Sequence, residues 1–254
     1  MNVADVTRAG LIAQLLAPIP AGTGARLIAT MNLDHVVKLR TNAAFRAAYR
    51  SAWRVTIDGA PVFAYARMVG ARVPERITGA DLFEEIVQLW TPERHRLFFI
   101  VSSISAASRI EALLRRNGFD ESSAQFEVPP FGFDRDPELS DALAKRVSSF
   151  RPSHLVLALG APKSEIWTEC HRDRLGDVNV LCVGAAVEFV AGLKRRSPMW
   201  MRRAGLEWFW RFATEPRRLF RRYFIDSFAF VLAIAADVKS GGARPALVKR
   251  WQRR

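Results

Sequence analysis

Short apolar runs alternate along the chain with longer segments in which apolar residues recur every three or four positions. Continuous apolar runs are typical of strands buried on both faces of a parallel sheet, and the longer segments are typical of helices. This alternation predicts an α/β fold with a doubly wound, mainly parallel sheet and right-handed crossovers. The predicted strands are Arg26–Met31, Arg54–Ile57, Leu97–Val101, His154–Leu159 and Asn179–Val183.

Helical patterns fill the intervals between these strands. The predicted helices are Asp34–Tyr49, Val62–Val69, Ala80–Trp90, Ala106–Asn117, Pro137–Phe150, Lys163–Leu175 and Ala185–Ala191. From Lys194 the alternation ends, and the pattern predicts two or three helices with Pro198 and Pro216 at first-turn or kink positions. We therefore expect residues 1–193 to form the α/β domain and residues 194–254 to form a helical appendage near the binding edge of the sheet.

The charge of the chain, +13 in total, lies almost entirely in this appendage. Residues 194–254 contain 16 of the 38 Lys and Arg residues but only 4 of the 25 Asp and Glu residues. Large aromatic residues, Trp200, Trp208 and Trp210 among them, are mixed with the basic ones. Such a mixture suits an anionic membrane surface or nucleic acid, whereas a freely solvated tail rarely carries so many aromatics.

Several classes of protein are disfavoured by what the sequence lacks. No stretch approaches the roughly 20 apolar residues of a membrane-spanning helix, and the longest candidate is Phe228–Ala236. Met1–Pro20 does not resemble a secretory signal peptide. Cys170 and Cys182 show no metal-ligand spacing and are consistent with a reducing compartment. We expect a cytoplasmic protein that is not threaded through a membrane.

Polar residues and glycines cluster where the predicted strands end, and ligands of doubly wound sheets bind outside these carboxyl ends. The residues in question are Thr30, Asn32, Asp58, Gly59, Ser102, Ser103, Gly160 to Glu165, and Gly184. Asp58 leaves a buried strand and is followed by glycine. It therefore suits a general base at a crevice mouth, although a helix-capping or turn aspartate is an equal alternative.

Two further features could bind anions. Arg76 precedes Thr78 and Gly79, either of which would cap the next helix, so Arg76 is either a phosphate contact or a solvated surface arginine. The amides of Gly160–Glu165 could hold an anion or a sugar hydroxyl, although the segment is not a Walker loop.

No metal-binding or cofactor motif is apparent, because the four histidines are scattered and no acidic pair follows a strand. A metal-independent transfer from a nucleotide diphosphate would need cationic side chains to stabilise the leaving phosphate. Arg211, Arg218 and Arg221 of the appendage are the candidates.

Taken together and in order, these motifs resemble the WecG/TagA/CpsF glycosyltransferase family from about Arg26 to Ile225. The matching pieces are Thr30-Met-Asn32, Asp58-Gly59, Glu75-Arg76-x-x-Gly79-x-Asp81, Leu159-Gly-Ala-Pro-Lys163, Val183-Gly-Ala-Ala-Val-Glu-Phe-Val-Ala-Gly192, Arg196-Ser-Pro-x-Trp200 and Gly205-Leu-Glu-Trp-x-x-Arg211-x-x-x-Glu-Pro-Arg-Arg218-x-x-Arg221-Arg-Tyr223. Each piece is weak alone, and the ordered set is specific.

The resemblance implies a Rossmann-like catalytic domain, a membrane-associated appendage, and an inverting transfer that needs no metal or cofactor. The donor would be a UDP-sugar, of the N-acetylmannosamine type (or its uronic acid), glucose or another hexose. The acceptor would be a sugar on undecaprenyl diphosphate, at the inner face of the cell membrane. The product would enter bacterial exopolysaccharide or cell-surface polysaccharide.

Roles for individual residues also follow from the resemblance. Asp58 would be the general base, Thr30 and Asn32 would line the sugar and acceptor pocket, and Arg76 would contact substrate or diphosphate. Substrate binding would further involve Gly160, Lys163, Ser164, Glu165, Gly184 and Glu188, with Gly184 near the nucleotide. Arg211, Arg218 and Arg221 would fold over the donor and stabilise the leaving UDP.

The sequence departs from the family pattern at several positions. Glu188 stands where the family often has aspartate. Ser164 stands where the family usually has glutamine, and the loss of that amide suggests a different sugar specificity or impaired activity. A catalytically silent scaffold of a polysaccharide assembly complex is therefore one alternative. A basic nucleic-acid-binding protein is another, although no nucleic-acid-binding signature supports it and we expect no nucleic-acid partner. A monomer–oligomer equilibrium, with the appendage ordering only on a membrane, is a further hypothesis.

Overall fold

The structure of the protein is a computed structural model that describes residues 3–214 and residue 216. Its strands are β1 (Arg26–Met31), β2 (Arg54–Ile57), β3 (Leu97–Val101), β4 (Ala124–Glu127), β5 (His154–Ala158) and β6 (Asn179–Cys182). In this part of the chain they form one sheet in the order β2-β1-β6-β5-β3-β4, and every pairing is parallel. The predicted α/β class is confirmed.

Helices connect the strands and also follow the last one. The helices that the structure describes are α1 (Arg8–Leu16), α2 (Leu33–Thr41), α3 (Ala43–Ser51), α4 (Ala60–Met68), α5 (Gly79–Ile86), α6 (Ile104–Arg116), α7 (Pro137–Phe150), α8 (Lys163–Leu175), α9 (Ala186–Val190), α10 (Met199–Arg203) and α11 (Glu207–Thr214). A short 3-10 turn lies at Phe133–Arg135.

The sheet is buried on both faces because successive strand residues point to opposite sides. Along β1, Leu27, Ala29 and Met31 pack on one side, where α2, α3, α4, α7 and α8 cover the sheet. Ile28 packs on the other side, which α1, α5, α6 and α9 cover. Burial on both sides explains why the central strands are continuous apolar runs, and helices on both faces make the sheet doubly wound.

The structure differs from the predicted elements in three places. The helix predicted at Asp34–Tyr49 is two helices, α2 and α3, because Asn42 leaves helical geometry and its side chain accepts a hydrogen bond from the Phe45 N–H (2.9 Å). Strand β4 was not predicted, since only Ala124 of this edge strand is fully buried and its pattern is mixed. Helix α1, capped by Thr7, was also not predicted.

The remaining predicted elements are confirmed to within a few residues, and α7 and α8 have the predicted bounds. In the C-terminal region, Pro198 is the N-cap of α10, one residue before the helix begins. No helix in the described part of the chain is long and apolar enough to cross a membrane. The division into a domain and an appendage at residue 194 stays a prediction.

We expect Phe99→Ala to lower the free energy of unfolding by about 3–5 kcal/mol, because it empties a fully buried site. Phe99 is 0% exposed, stacks on Phe126 with ring centroids 4.9 Å apart, and meets Trp90 edge-on at 6.3 Å. Denaturant unfolding followed by circular dichroism measures the change.

The matched control is Phe131→Ala, which removes the same ring from a side chain that is 102% exposed. Its free energy of unfolding should stay within about 0.5 kcal/mol of the wild-type value. Equal losses in the two variants would contradict the described core.

Candidate active site

The carboxyl ends of β1 and β2 lie side by side. Met31 is in register with Ile57, and the ladder continues one residue further, since the Asp58 N–H donates to the Met31 carbonyl (2.7 Å). Asn32 begins the connection from β1 and caps α2 through its side-chain oxygen, which accepts from the His35 N–H (3.2 Å). The structure therefore brings together three of the predicted site residues, Thr30, Asn32 and Asp58.

The Asp58 carboxylate meets the N-terminus of α5. Its Oδ2 accepts a hydrogen bond from the Gly79 N–H (3.3 Å), which is the first amide of that helix. Thr30 lies against the same glycine, and its hydroxyl donates to the Cys182 carbonyl at the end of β6 (3.4 Å). Asp58 is half-buried, and both its carboxylate and the Thr30 side chain lie against Gly79.

Arg76, which we predicted to contact substrate or diphosphate, lies beside the backbone of Asp58 and donates to backbone carbonyls. One N–H donates to the Asp58 carbonyl (3.2 Å) and another to the Arg202 carbonyl of α10 (3.0 Å). A guanidinium carries more donors than these two bonds use. Arg76 thus joins the end of β2 to the C-terminal region and places its positive charge against the backbone of Asp58.

A second group of predicted residues follows β5. Gly160 has a positive φ of 80°, which favours glycine, and it begins the turn that leads into α8. Lys163 pairs with Asp134 (3.0 Å), and its Nζ lies 5.3 Å from the centroid of the Phe131 ring. Lys163 is therefore directed toward the segment that follows β4.

Ser164 and Glu165, which we predicted to bind substrate, are each only 2% exposed. Within the described part of the chain, Ser164 Oγ and Glu165 Oε2 are buried without a hydrogen-bond partner. In this structure neither side chain is presented on an open surface. Burial raises the pKa of Glu165 to about 7, so near neutral pH a large fraction of this carboxyl is protonated.

Beneath the strand edge, Glu165 has charged neighbours on α2 that the sequence prediction missed. Lys38 Nζ donates to Asp34 Oδ2 (2.8 Å) and to the carbonyl of Ala161 (3.1 Å). The positive charge of Lys38 opposes the effect of burial on Glu165, whereas the negative charge of Asp34 adds to it. The four-residue spacing of Asp34 and Lys38 was the signal that could have found the pair.

Tyr49 and His35 complete this buried group. The Tyr49 hydroxyl lies 2.6 Å from His35 Nδ1. Burial raises the pKa of Tyr49 well above its ordinary value, and the nearby acids Glu165 and Asp58 add to the effect. Beneath the polar edge of the sheet, the buried groups are thus the acids Asp34 and Glu165 and the Tyr49 hydroxyl, with Lys38 bonded to Asp34.

The last two predicted site residues that the structure describes, Gly184 and Glu188, follow β6. Gly184 has a positive φ of 52°, and its N–H donates to the Leu157 carbonyl of β5 (3.4 Å). Glu188 of α9 pairs with Lys194 (2.8 Å).

The C-terminal region is tied to α5 by ion pairs that the sequence prediction also missed. Arg196 contacts Asp81 in the first turn of α5 (2.8 Å) and Glu207 at the start of α11 (3.5 Å). Arg202 of α10 approaches the same Asp81 (3.6 Å). The backbone of Arg211 belongs to α11, but its side chain lies outside the described part of the structure, and Arg218 and Arg221 lie outside the described residues altogether.

The position of these residues is typical of α/β proteins that bind their ligands at the carboxyl edge of the sheet. A carboxylate, an arginine and two glycine-containing strand–helix turns lie at the carboxyl edge of a doubly wound parallel sheet, where proteins of this architecture bind ligands. The model of the glycosyl transferase WecG/TagA/CpsF family matches residues 1–243. The chain belongs to this family and is a glycosyltransferase, and the resemblance noted from its motifs is confirmed.

Curated relatives support the same assignment. Two similar proteins, from Staphylococcus aureus strains NCTC 8325 and MRSA252, are each 24% identical over 214 residues. The alignment covers 84% of this chain and 82% of each relative. Both relatives are named N-acetylglucosaminyldiphosphoundecaprenol N-acetyl-beta-D-mannosaminyltransferase.

The burial of Glu165 leads to a prediction about pH. Its pKa rises from 4.5 to about 7 on folding, so its contribution to stability is complete below pH 4.5 and is lost as the pH rises through about 7. Glu165→Gln removes this loss. From about pH 5 to about pH 8, the variant should gain up to roughly 3 kcal/mol of unfolding free energy relative to wild type.

Denaturant unfolding at the two pH values measures this difference. Glu93→Gln is the control, because Glu93 is exposed and the same change there should leave the pH dependence as in wild type. Parallel pH profiles for wild type and Glu165→Gln would show that Glu165 is not the buried acid described.

Proposed function

We propose that the protein transfers a sugar from a UDP-sugar to a hydroxyl of a sugar carried on undecaprenyl diphosphate, with inversion and without a metal. The observation that carries the proposal is the Asp58 carboxylate, which Gly79 holds at the edge of the sheet beside Thr30, with the Arg76 guanidinium alongside. A half-buried carboxylate in this position can act as a general base.

The chemistry is a single displacement. Asp58 takes the proton of the acceptor hydroxyl as its oxygen bonds to the anomeric carbon, and the bond to the UDP oxygen breaks on the opposite side. The electron pair of that bond leaves with UDP, whose growing negative charge needs cationic partners. Arg76 supplies one positive charge near the reacting groups, and we propose Arg211, Arg218 and Arg221 as the others.

The names of the relatives support the choice of substrates. Those proteins are named for transfer of N-acetylmannosamine to N-acetylglucosaminyl-diphospho-undecaprenol. We propose an N-acetylmannosamine-type donor, with glucose or another hexose as the alternative, and an N-acetylglucosamine-type acceptor. The product would enter exopolysaccharide or cell-surface polysaccharide.

A lipid-linked acceptor requires the enzyme to work at a membrane surface, and we propose that residues 194–254 provide the contact at its inner face. Large apolar side chains lie exposed at the start of this region, with Trp200 65% and Phe209 51% exposed. The basic residues of the same region would attract anionic lipid head groups. The Trp208 and Phe209 rings meet edge-on at 5.9 Å.

We expect the purified protein to release UDP when a UDP-sugar and a short-chain lipid diphosphate-sugar acceptor are both present, with EDTA added. A panel of UDP-sugars identifies the donor. Asp58→Asn should lower the rate by at least about a hundredfold, because it removes the base. A coupled UDP assay measures both rates.

Asp173→Asn is the matched control, since Asp173 is an exposed aspartate near the C-terminal end of α8, away from the strand edge. Its rate should equal that of wild type. UDP binding without transfer to any acceptor, together with no effect of Asp58→Asn, would favour the silent scaffold instead.

The membrane contact gives a separate prediction. Trp200→Ala combined with Phe209→Ala should lower binding to vesicles that contain anionic lipid by about tenfold or more, because two exposed aromatic side chains no longer enter the interface. Vesicle co-sedimentation measures this. Ile104→Ala, which shortens an exposed side chain on α6, is the control and should bind as wild type does. Equal binding by all three proteins would remove the C-terminal region as the contact.

A further inference from the structure

We propose that Gly79 is the positioning residue for the general base: its backbone N–H holds the Asp58 carboxylate, and its lack of a side chain lets α5 approach Thr30 closely enough to do so. The inference rests on the proposed function of Asp58. It concerns how the carboxylate is held and does not depend on which sugar is transferred.

Asp58 is held both by its backbone and by its side chain. Its backbone N–H belongs to the sheet edge, through the bond to the Met31 carbonyl (2.7 Å), and its Oδ2 accepts from Gly79 (3.3 Å). The first amides of a helix have no partner within the helix, so an oxygen acceptor satisfies one of them and a negative charge is favoured there. The hydrogen bond to Met31 positions the Asp58 backbone, and the hydrogen bond from Gly79 orients the Asp58 carboxylate.

The neighbouring Thr30 side chain, and not the backbone conformation, favours glycine at position 79. Ten other glycines of the described chain have a positive φ, but Gly79 does not. A Cβ added there would lie 3.2 Å from Thr30 Oγ1 and 3.3 Å from Thr30 Cγ2, which is tighter than nine in ten real contacts of a Cβ atom, so Thr30 or the helix would have to move by a few tenths of an ångström. Since alanine suits a helix better than glycine does, only this close approach favours glycine.

Thr30 cannot easily give way to a larger residue at position 79. It is 5% exposed on a strand paired on both sides, and its branched side chain has few alternative rotamers. Its hydroxyl is also bonded to the Cys182 carbonyl (3.4 Å). Relief of the clash would therefore displace the first turn of α5 and lengthen a Gly79–Asp58 hydrogen bond that is already long.

The first turn of α5 is otherwise firmly held, which makes it a suitable support for the base. Thr78 caps the helix by accepting from the Asp81 N–H (2.9 Å), and Asp81 pairs with Arg196 (2.8 Å). Burial acts to raise the pKa of Asp81, but the Thr78 hydrogen bond and the Arg196 guanidinium outweigh it and hold that pKa below its ordinary value. Arg76, three residues before the helix, is bonded to the Asp58 carbonyl.

The test is Gly79→Ala, assayed with the donor and acceptor that wild type turns over. We expect kcat to fall by about tenfold or more, because a small misplacement of a catalytic group is costly, while KM for the donor stays within about twofold. Gly10→Ala is the matched control. It makes the same change in the first turn of α1, where the new Cβ would be 3.4 Å from Thr7 Oγ1, an ordinary contact, and kcat should not change.

A rescue variant separates positioning from general damage. Thr30→Ala removes both atoms that would crowd the new Cβ, Oγ1 and Cγ2, so Gly79→Ala should cost little kcat when Thr30→Ala is already present. The rate of Thr30→Ala alone is the reference for this comparison. Wild-type kcat in Gly79→Ala, or a loss that appears only in KM, would overturn the proposal.

A measurement without turnover distinguishes failure of this inference from failure of the proposed function. Hydrogen exchange at the Gly79 amide should be slow in wild type and at least about tenfold faster in Asp58→Ala, whether or not any sugar is transferred. Unchanged exchange would show that Asp58 does not hold this amide. Faster exchange in a protein that transfers no sugar would refute the function and leave the contact in place.

Discussion

The parallel pairing of β1 with both β2 and β6 is the constraint on which the site depends. Parallel strands place their carboxyl ends at one edge of the sheet, and here Thr30, Asp58 and the Cys182 carbonyl come from three separate segments. Because both faces of the sheet are covered by helices, a shift in register would disrupt the packing of strand side chains against those helices on both faces. The same strand pairing therefore sets both the packing of the core and the position of the candidate base, Asp58.

The groups buried beneath this edge are mostly acidic, whereas a site that binds anions is usually lined by positive charge. Asp34, Glu165 and the Tyr49 hydroxyl are buried close to one another, with Lys38 as the cation bonded to Asp34. Because burial raises the pKa of Glu165 to about 7, part of this carboxyl is protonated near neutral pH, which lowers the negative charge beneath the edge. Positive charge lies at Arg76, which contacts the Asp58 carbonyl, and at Arg196 and Arg202, which pair with Asp81.

The C-terminal region reaches the base through α5. Arg196 and Arg202 contact Asp81, Asp81 lies in the first turn of α5, and the first amide of that turn meets Asp58. Arg76 adds a second link, since it bridges the carbonyls of Asp58 and Arg202. The C-terminal region, whose composition suits a membrane surface, is thus linked by direct contacts to Asp58, the residue proposed to take the acceptor proton.

The sequence by itself determined the fold class and the edge where the polar residues gather, because burial on both faces requires continuous apolar strands and parallel strands end together. It also indicated the family through ordered motifs, and it singled out Asp58 and Arg76. The break at Asn42 and the edge strand β4 escaped it, since side-chain capping overrides helical periodicity and an edge strand is only partly buried. Only the tertiary structure decided that Ser164 and Glu165 are covered, that Lys38 lies beneath the edge, and that Gly79 touches Thr30. These are contacts between segments far apart in the chain, and no local pattern records them.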